Sequence, residues 1–143
     1  MGVKKMSNKA IGNKLEEDVC QVFGMYHWWC TNLAQGRTGQ PADIIACKYG
    51  ESVLLDAKHC QAKYFDTRRM ETNQIYSMTR WLEAYNGYCG FVLEFSSCPG
   101  VYWVVPFVYL HSRIPHRVSM DEVMQHGEML EVFIRKRLAK YEN

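Results

Sequence analysis

Asp43, Asp56 and Lys58 stand at the ends of two apolar runs, Ile44–Tyr49 and Ser52–Leu55, that flank Gly50-Glu51. A Gly-X pair between β-rich runs predicts a two-residue hairpin. With Gly50 and Glu51 as the loop, Tyr49 faces Ser52, Ile45 faces Asp56 and Asp43 faces Lys58. Side chains alternate along a strand, so the two acids and the lysine share one face. Opposed residues sit roughly 5 Å apart and diagonal ones about 7–8 Å, a gap that a divalent cation can bridge. Such a cation needs hard oxygen ligands, which the two carboxylates supply. The alternative is a surface hairpin closed by a salt bridge, since Asp-x-Lys is short enough to arise by chance.

The surrounding elements must position these groups. Ser7 is placed to cap a helix running to about Tyr26 or Trp29, with Ile11, Leu15, Val19, Val22 and Tyr26 as its apolar stripe. Glu16 borders that stripe and can reach a site between helix and sheet, while Glu17 and Asp18 turn away into solvent. Trp28-Trp29-Cys30 ends the helix or begins an edge strand, and Gln35–Pro41 is a loop in which Arg37 and Thr38 are candidate phosphate contacts. Lys63, Arg68 and Arg69 follow the hairpin as further basic candidates. Glu71–Tyr85 predicts a second helix burying Ile75, Met78, Leu82 and Tyr85, with Gln74 at the border of the stripe and Asn86-Gly87 as the stop. Two apolar strands, Tyr88–Phe95 and Val101–Leu110, are expected next, with Pro106 marking a bulge or an edge. Ser119–Glu122 is a capping box opening a final helix to about Lys140. The expected fold is α/β: a mixed sheet of about four to five strands with helices on both faces, in one domain spanning residues 1–143.

Composition narrows the class. Nearly half of the residues are hydrophobic, which fits a folded globule, and the absence of an 18-residue apolar run argues against a membrane span. The lysines near the N-terminus precede no apolar signal region, so a cytoplasmic location is expected. Six cysteines at 20, 30, 47, 60, 89 and 98 show no CxxC spacing and read as reduced, partly core residues. A zinc site from Cys20, His27 and Cys30 is the alternative. Net charge is only +2, but residues 1–80 hold eleven Lys/Arg against eight acids, and residues 81–143 hold six against seven. The positive excess lies in the half that carries the hairpin, which suits a nucleic-acid partner once acids are committed to a metal.

A helix bearing glutamate, then D-x-(many)-(D/E)-x-K, then a second helix, resembles the PD-(D/E)xK nuclease superfamily, and within it the RecU type of Holliday-junction resolvase. Gly12–Val19 resembles that family's helix signature, Asp43 its first metal acid, and Asp56-Ala57-Lys58 its E-A-K with Asp for Glu. Phe65, Asn73–Met78, Gly90–Leu93 and Tyr102–Pro106 resemble later pieces, so the likeness spans roughly residues 10–110. The segment between Glu16 and Asp43 is too short for the long stalk of the RecU type. The resemblance implies Mg²⁺ or Mn²⁺ held by Asp43, Asp56 and the Ala57 carbonyl, with Glu16 as a direct or water-mediated ligand. It also implies Lys58 at the transition state, Gln74 orienting the nucleophile or a phosphate oxygen, and a homodimer acting on four-way DNA junctions. Two alternatives stay open: a nuclease of the same fold acting on flaps, ends or specific duplex DNA, and a catalytically silent DNA-binding module.

Overall fold

The computed structural model describes residues 6–33, 42–84 and 87–141. The first helix, α1 (Asn8–Met25), begins where Ser7 Oγ accepts the Ala10 amide at 3.1 Å. An edge strand β1 (Trp29–Asn32) leads through residues outside the described set to β2 (Ile44–Lys48) and the ten-residue β3 (Glu51–Cys60). After β4 (Tyr64–Asp66) and one 3₁₀ turn (Thr67–Arg69) come α2 (Thr72–Glu83) and β5 (Tyr88–Phe95). Then follow β6 (Trp103–Pro106), α3 (Phe107–Ser112), β7 (Arg117–Ser119), α4 (Met120–His126), β8 (Glu128–Met129) and α5 (Leu130–Ala139).

Six strands form one mixed sheet in the order β1-β2-β3-β5-β6-β8, and β4 pairs with β7 separately. The pair β3–β5 is parallel, as a crossover through α2 requires, and the other pairs are antiparallel. Alternation along β3 divides the core. Val53, Leu55 and Ala57 pack with Leu15, Val19 and Phe23 of α1 and with Phe133 and Ile134 of α5. Leu54 and Cys60 face the other layer, with Met78 of α2, Phe91, Leu110 and Val123. Asp56 shares the parity of Leu54 and so points toward α2.

Several expectations need correction. The hairpin loop is Tyr49-Gly50, with Lys48 opposite Glu51, so the predicted register is displaced by two residues. Both loop residues have positive φ, 54° and 81°, which is the two-residue turn whose twist matches its flanking strands; glycine takes its second position instead of its first. A slip of two keeps every side chain on its face, and it moves Asp43 from opposite Lys58 to the end of the ladder beside Asp56. The sheet has six strands, not four or five, because β1 and β8 add short edges. The strand expected over Val101–Leu110 ends at Pro106, which lacks the amide needed to extend the ladder and instead precedes α3. The single C-terminal helix is two helices separated by Gly127, where a Cβ would meet the Val104 and Val123 carbonyl oxygens at 2.8 Å. In α2, Met78 is buried and Ile75 packs on the core as expected, but Leu82 is exposed and Gln74 and Trp81 turn inward in its place. Tyr85, Asn86, Arg37 and Thr38 lie outside the described residues.

Candidate active site

Four elements bring the predicted acids together at one end of the sheet. β3 carries Asp56 and Lys58, the residue just before β2 is Asp43, α1 supplies Glu16 and α2 supplies Gln74. Glu16, Asp43, Lys58, Arg69 and Gln74 line one open cavity of about 740 Å³.

Asp56 is the most enclosed of the acids, fully buried. Its Oδ1 accepts a hydrogen bond from Gln74 Nε2 at 2.9 Å. Its Oδ2 lies 3.2 Å from Lys58 Nζ, yet that contact lacks hydrogen-bond geometry and leaves the oxygen a buried acceptor without a donor. Burial pushes the Asp56 carboxyl well above its ordinary value; Asp43 adds to the rise and Lys58 opposes it. Asp43 Oδ2 accepts the backbone amide of Ala57 at 3.0 Å, which turns the side chain toward β3.

Glu16 is only 8% exposed, and its Oε2 accepts from Asn32 Nδ2 at 3.0 Å. Burial raises its carboxyl to about 7, with the Asp43 charge adding to the effect. Glu17 is exposed, and Asp18 is tied to Lys14 and Tyr102 on the other side of the helix. The helical geometry separates Glu16 from Glu17 as expected, whereas Asp18 is half-buried against Lys14 and Tyr102 and not turned into solvent.

Gln74 is committed at both ends of its amide. Its nitrogen holds Asp56, and its oxygen accepts the Glu71 amide at 3.1 Å in a capping box that opens α2. The start of the helix and the orientation of Asp56 thus share one side chain.

The basic candidates divide. Arg69 reaches the cavity, and its Nη1 donates to the His59 carbonyl at 2.9 Å. Arg68 is folded back onto Asp66 through two side-chain bonds of 3.1 and 2.8 Å, and Lys63 is exposed away from the cavity lining. Two contributors were not foreseen. Asn32 fixes Glu16 from the edge strand, and His59 lines the cavity with Nδ1 3.0 Å from Glu94 Oε1 and Nε2 2.9 Å from Ser96 Oγ. Neither belongs to a motif; each is placed by strand pairing that joins distant segments.

The donor set suits a hard divalent cation: three carboxylates, one with a buried oxygen that no donor satisfies, beside a single lysine. The acids are not closed into a three-ligand cage, and among the described residues no group of three or more His, Cys, Asp or Glu stands at ligating positions. Asp43 is drawn onto the Ala57 amide, and the Lys58 ammonium is the cation nearest Asp56. Of the zinc alternative's three residues, Cys20 and Cys30 meet at 3.0 Å, and among the described residues no third ligand stands with them.

No protein-family model matches this sequence, and neither does any curated protein. Among solved structures the chain is similar to Hjc, a Holliday junction resolvase from the archaeal hyperthermophile Archaeoglobus fulgidus, determined at 1.6 Å resolution. The TM-score is 0.65 at 9% identity, covering 86% of this chain and 94% of that one. At this identity the likeness establishes a shared fold: a mixed, mostly antiparallel sheet flanked by helices, as expected from the sequence.

Proposed function

We propose that this protein is a divalent-metal-dependent endodeoxyribonuclease that resolves four-way DNA junctions as a homodimer. The observation that carries the proposal is one open cavity lined by Glu16, Asp43 and Lys58, with Asp56 fully buried beside it and its Oδ2 3.2 Å from Lys58 Nζ. Carboxylates perturbed by burial and a specific charge partner beside a cleft are the arrangement of a functional site. The resolvase fold of Hjc supports the choice of substrate.

Asp43, Asp56 and the Ala57 carbonyl would hold Mg²⁺ or Mn²⁺, with Glu16 completing the set directly or through water. When bound, the ion supplies Lewis-acid polarisation of the scissile phosphate and a more acidic water. Lys58 Nζ, now beside Asp56, is the group positioned to stabilise charge on the phosphorane or to orient the attacking water. Gln74 keeps Asp56 in place. Glu16, its carboxyl raised by burial, would have to give up its proton to serve as a ligand. Arg69 offers a phosphate contact at the cavity wall, and such contacts position DNA without reading its sequence. Lys63 and Arg68, outside the cavity lining, and Arg37 and Thr38, outside the described residues, would be further contacts along the DNA path.

Resolution needs two symmetric incisions, and a C₂ dimer supplies one site for each. The test is cleavage in Mg²⁺ of a synthetic junction, a flap, a linear duplex and a single strand at matched salt. Paired, symmetric nicks on the junction, with much weaker cutting of the duplex, are expected. Equal cutting of junction and duplex by a monomer would discard the resolvase assignment and leave a general nuclease.

A further inference from the structure

A second reactive cluster lies on the seam between α1 and β1. Cys20 of α1 and Cys30 of β1 approach with their sulfurs 3.0 Å apart, and the Cys30 thiol donates to Cys20. Both residues are half-buried, so a small oxidant can reach them. A disulfide needs sulfurs about 2.05 Å apart, so closure requires an approach of about 1 Å. The remaining cysteines differ: Cys60 and Cys89 are buried, Cys98 is exposed, and Cys47 lies on β2 opposite Trp29.

We propose that Cys20 and Cys30 form a redox-active dithiol, closed to a reversible disulfide by hydrogen peroxide or by a low-molecular-weight disulfide. The inference goes beyond the nuclease proposal and stands without it. The pair is asymmetric in a way that assigns roles: the hydrogen bond from Cys30 draws the Cys20 thiol below its ordinary value, although burial opposes it. With Cys30 as the donor of that contact, Cys20 is the attacking sulfur and Cys30 the resolving one. The Cys20 thiolate attacks one peroxide oxygen, the O–O bond breaks, hydroxide leaves, and the sulfur is oxidised to a sulfenic acid. The Cys30 thiol gives its proton to that hydroxide, forming water. Its sulfur then attacks Cys20, so that the S–O bond breaks, the S–S bond forms and a second hydroxide leaves. Peroxide is reduced by two electrons and the two thiols together lose two. With a small disulfide the same two sulfurs act through a mixed disulfide, and two small thiols are released.

The position gives the bond a consequence. Glu16 and Cys20 lie one helical turn apart on the same flank of α1, and Asn32 and Cys30 alternate onto the same face of β1. The Glu16–Asn32 contact and the Cys20–Cys30 contact are thus successive rungs between one helix and one strand. Closing the sulfur rung would fix α1 against the edge strand one turn from the cavity acid.

The test uses the reduced full-length chain, treated with limiting hydrogen peroxide, quenched by alkylation and mapped under non-reducing conditions by mass spectrometry. A linked Cys20–Cys30 peptide, two hydrogens lighter than the reduced pair, should form before any other cysteine pair and revert with dithiothreitol. Cys30→Ser should leave Cys20 as a sulfenic acid that a dimedone probe captures. If Cys20 and Cys30 both remain alkylatable once exposed Cys98 is oxidised, the dithiol is refuted. Preferential bridging of either residue to Cys47 would also refute it. The wild-type map decides alone should the serine variant fail to fold.

Discussion

Asp56 is the most constrained group at the residue scale, because a fully buried carboxylate is costly unless a cation or a proton answers it, and Lys58 Nζ stands 3.2 Å from its Oδ2. Gln74 satisfies the other oxygen. Gln74→Ala should therefore destabilise the fold by about 1–3 kcal/mol in denaturant unfolding, besides slowing cleavage. Under the proposed role of Lys58 at the transition state, Lys58→Ala should lower the cleavage rate far more than metal affinity measured by calorimetry. Glu16→Gln should reduce turnover by at least about 10–100-fold while Glu17→Gln changes it little, because only Glu16 is buried at the cavity. Glu16 also makes a pH prediction for the metal-free protein. Its folded carboxyl, raised to about 7, binds a proton more tightly than the unfolded chain does, whose ordinary value is 4.5. The associated stability is complete below about 4.5 and is lost as pH rises through about 7. In the presence of a chelator the melting temperature should fall across that window, and Glu16→Gln should flatten the fall. The candidate acids were legible in the sequence as types and spacings; Asn32 and His59 were not, since each meets its partner through sheet pairing across distant segments.

Elements were legible where periodicity alone decides them. Ser7 caps α1, and Tyr88–Phe95 is a strand from end to end, because capping chemistry and a two-sided apolar run are local signals. Misplaced features depended on tertiary contacts. The hairpin turn places Tyr49 at positive φ, which local preference disfavours; its ring lies 5.2 Å from that of Tyr141, more than ninety residues later. The continuous C-terminal helix fails at Gly127 for a similar reason, since β8 must leave the helix there to pair with β6. Gly127→Ala improves helix propensity, yet the added Cβ meets two carbonyl oxygens at 2.8 Å. It should cost about 1–3 kcal/mol in urea unfolding with the fold retained, the opposite sign from the propensity expectation. An unchanged or raised midpoint would mean that Gly127 is not held against β6.

At the scale of the whole molecule, the mixed sheet puts its reactive groups where β2, β3, α1 and α2 meet, an arrangement built from residues 16 to 74. The positive excess lies in the same half of the chain, so DNA affinity should fall steeply with salt while cleavage depends on the carboxylates. No helix among the described residues is long and apolar enough to cross a membrane. A dimer of twice the chain mass in light scattering is expected from the need for two incisions, but the chemistry of the site is the more basic claim. The decisive measurement is cleavage of a synthetic four-way junction by wild-type protein and by Asp43→Asn, each with Mg²⁺ and with chelator, alongside DNA binding by both proteins. Wild type should cut only with Mg²⁺, and Asp43→Asn should bind the junction about as well and fail to cut it. Substantial Mg²⁺-dependent cleavage by Asp43→Asn, or no cleavage of any DNA by wild type, would contradict the assignment of this site.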